Sequence, residues 1–230
     1  MDINIDTVYQ KVLALANKEQ RGYITPQEFN LLADQAQMEI FEQYFYDQNQ
    51  ADRNLKNSTE LSNVDEILDE KISIHKKLGT ITMSGNVGTL PGDVYRLGTV
   101  FLASSQIELE QLTEEEALFL NLSPLARPTI DFPAYVRTGH DKIRTYPTMP
   151  SGVVCNYIKK PNTPEWTYVV VNEKALWNPN TNTRHFQLHH SDETELVYKI
   201  LSLAGIVIAK PGLGTYADTQ ITGQKTQEKQ

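Results

Sequence analysis

Residues 25–46 read TPQEFNLLADQAQMEIFEQYFY, and this stretch decides how the first part of the chain folds. Thr25 is placed to cap the coming helix, and Glu28 can reach back to the cap residue, the reciprocal arrangement of a capping box. Pro26 suits the first helical turn, where its missing N–H would have gone unused. Phe29, Leu32, Ala33, Ala36, Ile40 and Tyr44 then recur at helical spacing. Near the end, Phe41, Tyr44, Phe45 and Tyr46 spread aromatic surface around the helix instead of along one stripe. Two readings follow. Either the helix is buried on two sides within its own domain, or one side packs on another subunit, since aromatic residues are favoured at interface cores. The second reading makes Phe41, Tyr44, Phe45 and Tyr46 the expected intersubunit contacts, joined by Gly212, Leu213 and Tyr216 of the C-terminal tail.

Working outward, Ile5, Val8, Tyr9, Val12, Leu15 and Ala16 form an earlier helical stripe, and Gly22 breaks it, so the first 48 residues read as a helical hairpin. Residues 49–63 are polar and read as a loop. Val64, Ile67 and Leu68 mark a short amphipathic helix. From Leu78 the period changes to alternation, with turn chemistry at Gly85-Asn86 and again at Leu90-Pro-Gly-Asp93. Val94–Leu102 is β-rich, and Thr113-Glu-Glu-Glu116 repeats the capping-box logic for a short helix. Strand candidates follow at 134–138, 142–146, 153–159 and 166–171. Ser191 is a natural cap for a last helix, with Asp192, Glu193 and Glu195 placing negative charge at its positive end.

The expected fold class is therefore α+β. An N-terminal helical hairpin and a C-terminal helix form a bundle, with a small antiparallel β domain inserted between them. The expected divisions are a helical region over 1–77, a β-rich region with one short helix over 78–190, a helix over 191–210 packing on the N-terminal helices, and a polar tail over 211–230 that orders on assembly.

Composition bounds the function. Among 230 residues, 40% are hydrophobic and 22% charged, enough apolar side chain for a real core. No apolar run approaches the roughly 20 residues that cross a bilayer, and the start MDINIDTVYQ lacks the pattern of a signal peptide. A net charge of −8 argues against a sequence-independent grip on duplex DNA, though an acidic lining suits a channel through which DNA slides. Cys155 reads as a small buried hydrophobe. His185, His189 and His190 match no standard zinc spacing, and Gly212-Leu-Gly214 lacks the residues of a phosphate loop. No catalytic residue, metal ligand or cofactor site is expected, and the chain reads as a non-enzyme.

Several segments together resemble virion proteins of tailed phages, notably of crAss-like phages and related podoviruses. They are Gly22–Asn30 with Ala36–Phe41, Leu90–Gly98, Ile143–Pro147, Tyr157–Pro161 with Trp166, and Phe186–His189 leading into Leu196–Ile208. The resemblance covers about residues 7–209 and implies a ring or adaptor subunit of the head–tail connector, a helical bundle beside a small β domain. It further implies a cyclic homo-oligomer, a dodecamer, located at the head–tail junction of the virion after assembly in the host cytoplasm. The implied partners are the portal protein, neighbouring ring or tail proteins, and genomic DNA passing through the channel without specific binding. No membrane partner is expected. Other readings are a tail accessory or fibre-attachment protein, an assembly chaperone, and a hydrolase acting on the host envelope.

Overall fold

The computed structural model describes residues 2–18, 24–54, 62–149 and 151–207. In chain order the helices are α1 (Ile5–Lys18), α2 (Pro26–Asn54), α3 (Ser62–Ser73), α4 (Glu114–Leu122) and α5 (Glu193–Val207). The strands are β1 (Lys76–Thr80), β2 (Thr82–Ser84), β3 (Val87–Thr89), β4 (Val94–Leu102), β5 (Glu110–Leu112), β6 (Ala134–Thr138), β7 (Lys142–Tyr146), β8 (Val153–Lys159), β9 (Tyr168–Val171) and β10 (Lys174–Trp177). The fold class is α+β. Compactness divides it into two units, the chain up to Ile74 with the chain from Pro161 onward, and His75–Lys160.

In the helical unit α1 and α2 both pack on α5, and α2 also packs on α3. The Thr25–Glu28 box forms as the sequence predicts: Thr25 N donates to Glu28 Oε2 at 2.9 Å, and Glu28 N donates back to Thr25 Oγ1 at 3.3 Å. From that start Phe29, Ala33, Ala36, Ile40 and Phe41 are all buried. α2 continues to Asn54, through residues expected to be a loop. Side-chain pairs one turn apart support the extra turns, Gln43 Nε2 to Asp47 Oδ1 at 3.0 Å and Gln50 Nε2 to the Tyr46 hydroxyl at 2.6 Å, and Ala51 is buried. The rest of the expected loop, 55–61, lies outside the described residues.

The segment 161–190, grouped by its strand-like composition with the β-rich region, belongs instead to the helical unit. Two amides of α2, seven residues apart on one face, hold it there. Asn30 accepts from Trp166 N at 2.9 Å and donates to Trp166 O at 3.2 Å. Gln37 donates to Asn162 O and accepts from Gln187 N, both at 2.9 Å. Trp166 is thereby set against Tyr9, ring centroids 4.3 Å apart, and its Nε1 donates to Asp6 Oδ1 at 2.9 Å. The β9–β10 hairpin turns through Asn172 and Glu173, both at positive φ, and Trp177 stacks on Trp166 at 5.6 Å.

The approach to α5 also differs from expectation. Ser191 lies within a single 3-10 turn, His190–Asp192, and its N–H is capped by His189 Nδ1 at 3.3 Å. Asp192, expected to place negative charge at the start of the helix, is fully buried. Lys71 Nζ of α3 lies 2.7 Å from Asp192 Oδ1, the Tyr44 hydroxyl of α2 donates to Oδ2, and Ser191 Oγ donates to Oδ1 at 3.1 Å. Burial, reinforced by the Asp192 charge, pushes the Tyr44 hydroxyl far above its ordinary pKa, so it stays a donor.

The second unit contains a three-stranded sheet, β1-β8-β4, and a five-stranded sheet, β2-β3-β7-β6-β5. The Gly85-Asn86 turn closes the β2–β3 hairpin, while β1 belongs to the other sheet. Val100, Val153, Cys155 and Tyr157 of the smaller sheet share one core with Tyr135 and Ile143 of the larger. The expected antiparallel domain is in fact mixed. β5 runs parallel to β6 because α4 carries the chain back between them, the crossover that parallel neighbours require.

Removing one partner of a buried ion pair leaves the other charge stranded in apolar surroundings, which costs about 3–5 kcal/mol. Asp192→Asn and Lys71→Met are each expected to lose stability in that range in urea denaturation. The double variant is expected to lose less than the sum of the two.

Candidate assembly surface

The start of α4 is fixed by its own capping box. Thr113 N and Oγ1 donate to Glu116 Oε2 at 2.8 and 2.9 Å, and Glu116 N donates back to Thr113 Oγ1 at 3.3 Å. The bonds from Thr113, its backbone N–H foremost, hold the Glu116 carboxyl below its usual range. With the start set, each residue advances about 100° around the axis. Ala117 turns inward and is buried. Glu115, Leu118, Phe119 and Leu122, spaced i, i+3, i+4 and i+7, fall on the far side. The three apolar members are 67%, 72% and 81% exposed. Leu125, Ile130 and Phe132 beyond the helix are exposed as well. Contiguous apolar surface of this kind marks an interaction site, and covering one such side chain is worth roughly 1.5–3 kcal/mol.

The three-stranded sheet of the same unit offers a groove of about 680 Å³. Lys76, Ile158 and Arg96 stand in register across β1, β8 and β4, and Leu78, 60% exposed, faces Asn156 two rows further on. β4 shifts register between Leu97 and Val100. Gly98 within that shift lies so close to Asn156 that a Cβ there would come within 2.9 Å of its carbonyl oxygen. A side chain there would force the two strands to shift. Beside the groove Lys77 Nζ pairs with Asp93 Oδ2 at 2.8 Å and the Tyr157 hydroxyl donates to Asp93 Oδ1 at 2.7 Å. These bonds, that from Lys77 first, hold the Asp93 carboxyl low.

The contacts expected from sequence lie elsewhere. Phe41, Tyr44 and Phe45 are buried inside the helical unit, Phe41 edge-on to Phe45 at 5.1 Å, so they serve its core and present no surface to a partner. The helix is buried on two sides, the other of the two readings. Tyr46 alone of the four is exposed, at 58%. Gly212, Leu213 and Tyr216 lie outside the described residues. Sequence reasoning passed over α4, although its signal was present: Ala117-Leu-Phe-Leu120 followed by Leu122 is more apolar surface than a nine-residue helix with one buried face can hide.

The candidate chemical residues are occupied locally. His185 Nδ1 accepts from Ile5 N at 3.3 Å, whereas His189 serves as the cap described above. Among the described residues no group of three His, Cys, Asp or Glu is arranged to hold a metal ion. Burial pushes the Cys155 thiol up to about 11. Among the described residues no helix is long and apolar enough to cross a membrane.

Phe119→Ser and Leu122→Ser are expected to change stability by no more than about 0.5 kcal/mol, as surface substitutions do. Phe41→Ala and Phe45→Ala are expected to cost about 3–5 kcal/mol. Urea denaturation of the four variants distinguishes the two classes. The Glu116 carboxyl is depressed in the folded chain, so its box stabilises above the ordinary glutamate range and is lost as pH falls through the folded value. Glu116→Gln, which keeps an acceptor, is expected to weaken that acid dependence in thermal unfolding followed from pH 6 down to pH 3.

No protein-family model matches the chain, and a search of curated proteins finds no match.

Proposed function

We propose that this chain is a structural subunit of a tailed-phage particle, a ring or adaptor of the head-to-tail connector that surrounds the DNA channel. The observation that carries the reading is the apolar face of α4, whose three large side chains are exposed among the described residues. The resemblance of Leu90–Gly98, Tyr157–Pro161 and the other segments to phage connector proteins supports it. So does the arrangement of the elements, a helical unit drawn from both ends of the chain with a β-rich unit inserted in sequence. A net charge of −8 suits a conduit along which DNA slides without sticking.

In this reading the role is structural and not catalytic. Copies close into a ring, a dodecamer, through head-to-tail contacts, and closure follows when the rotation per subunit completes a circle. The ring sits at the head–tail junction against the portal protein and neighbouring tail or ring proteins. Electron microscopy of purified particles, with symmetry-resolved averaging of that junction, is expected to give density for this fold as a collar around the channel. Density elsewhere on the tail would replace the connector with an accessory or fibre-attachment role. Absence from mature particles, after presence during assembly, would point to a chaperone.

A further inference from the structure

We infer that the exposed side of α4 docks a basic amphipathic segment of a different protein, apolar along one side and flanked by lysine or arginine. The inference rests on the assembly reading above and names the chemistry of the partner at this surface. Leu118, Phe119 and Leu122 share one side of the helix with Glu115, the i, i+3, i+4, i+7 spacing at which helical anchors meet an apolar partner. Acid borders that patch where the chain enters the helix. Glu114 and Glu115 occupy the first turn, and β5 ends at Leu112, just before the cap Thr113. Glu110 of β5 lines a cleft of about 670 Å³ together with Glu108, Asp131 and the exposed ring of Phe132. Glu110 N donates to Pro133 O at 3.0 Å, which brings Asp131 and Phe132 alongside the strand. Carboxylates and an open aromatic ring in one cleft suit a cationic side chain. Among the described residues none of Glu108, Glu110, Glu114, Glu115 and Asp131 stands in an ion pair, so their charge is left for a partner. Arg137 of the neighbouring β6 donates instead to His140 O at 3.3 Å. A symmetric pairing of two copies through this side would set the same five carboxylates against one another. A basic partner matches the surface in both charge and apolarity.

The test follows, by fluorescence anisotropy, the binding of labelled designed peptides to the full-length chain. One peptide carries leucine at helical spacing with lysine at the flanking positions, a second has glutamate for every lysine, and a third keeps the lysines but scrambles the leucines. The lysine form is expected to bind about tenfold more tightly than either of the others, the sum of several exposed charge pairs or of the apolar match. F119S/L122S is expected to weaken it by about tenfold or more, as two uncovered apolar side chains would. E108K/E110K is expected to erase its advantage over the glutamate form, and E108Q/E110Q gives the same reading should the lysine variant fail to fold. Failure to bind any form overturns the inference, as does equal binding of the three peptides or indifference to both double variants. So does self-association of the wild-type chain in sedimentation that F119S/L122S abolishes, which would make a second copy the occupant. Neither result touches the connector reading, which stands or falls on density at the junction.

Discussion

The buried carboxylate of Asp192 is the constraint on which the helical unit depends. A carboxylate fully removed from water is tolerated only when a cation and hydrogen-bond donors surround it. Those groups come from three places in sequence: Lys71 on α3, Tyr44 on α2, and Ser191 in the turn that leads into α5. A shift of any one helix along its axis would separate the charges or strand the Tyr44 hydroxyl in apolar surroundings. Apolar packing alone discriminates poorly between neighbouring registers, because one aliphatic contact resembles the next. The polar cluster is directional, and it sets which turn of α2 faces which turn of α3.

This constraint joins residues more than a hundred positions apart and explains how the chain accommodates its insertion. The helical unit is made from both ends of the sequence, so whatever lies between must leave and return at nearby points. β1 and β8 satisfy that requirement as adjacent antiparallel strands, and Lys159 N donates to His75 O at 2.9 Å where the insertion begins and ends. An insertion whose termini are neighbours disturbs its host little. The inserted unit has its own core and is free to carry surface features that the helical unit does not need. α4 is such a feature, a crossover helix that buries one alanine and offers its apolar side to solvent.

Local chemistry was legible in the sequence. The boxes at Thr25 and Thr113, the Gly85-Asn86 turn, and the strands Val94–Leu102, Ala134–Thr138, Lys142–Tyr146 and Val153–Lys159 are where turn residues and alternation place them. Each depends on groups within a few residues of one another, so neighbouring side chains decide them. The apolar stripe of α2 belongs to the same class, because a helical repeat specifies a buried side without specifying what covers it.

Only the tertiary structure decided how each side chain is used. Phe41, Tyr44 and Phe45 look like contact residues in isolation, yet elements from distant parts of the chain enclose them. Asp192 looks like a dipole-matched surface charge until α3 brings Lys71 to it. Asn30 and Gln37 look like solvated polar positions, but the segment 161–190 claims both. The apolar run Leu118, Phe119 and Leu122 exceeds what one buried face can hide, but which of its members stay exposed is decided by the packing among the described residues. The reason is common to all four cases. Burial depends on which surfaces meet across long separations in the chain, and a window of sequence contains one of those surfaces without the other.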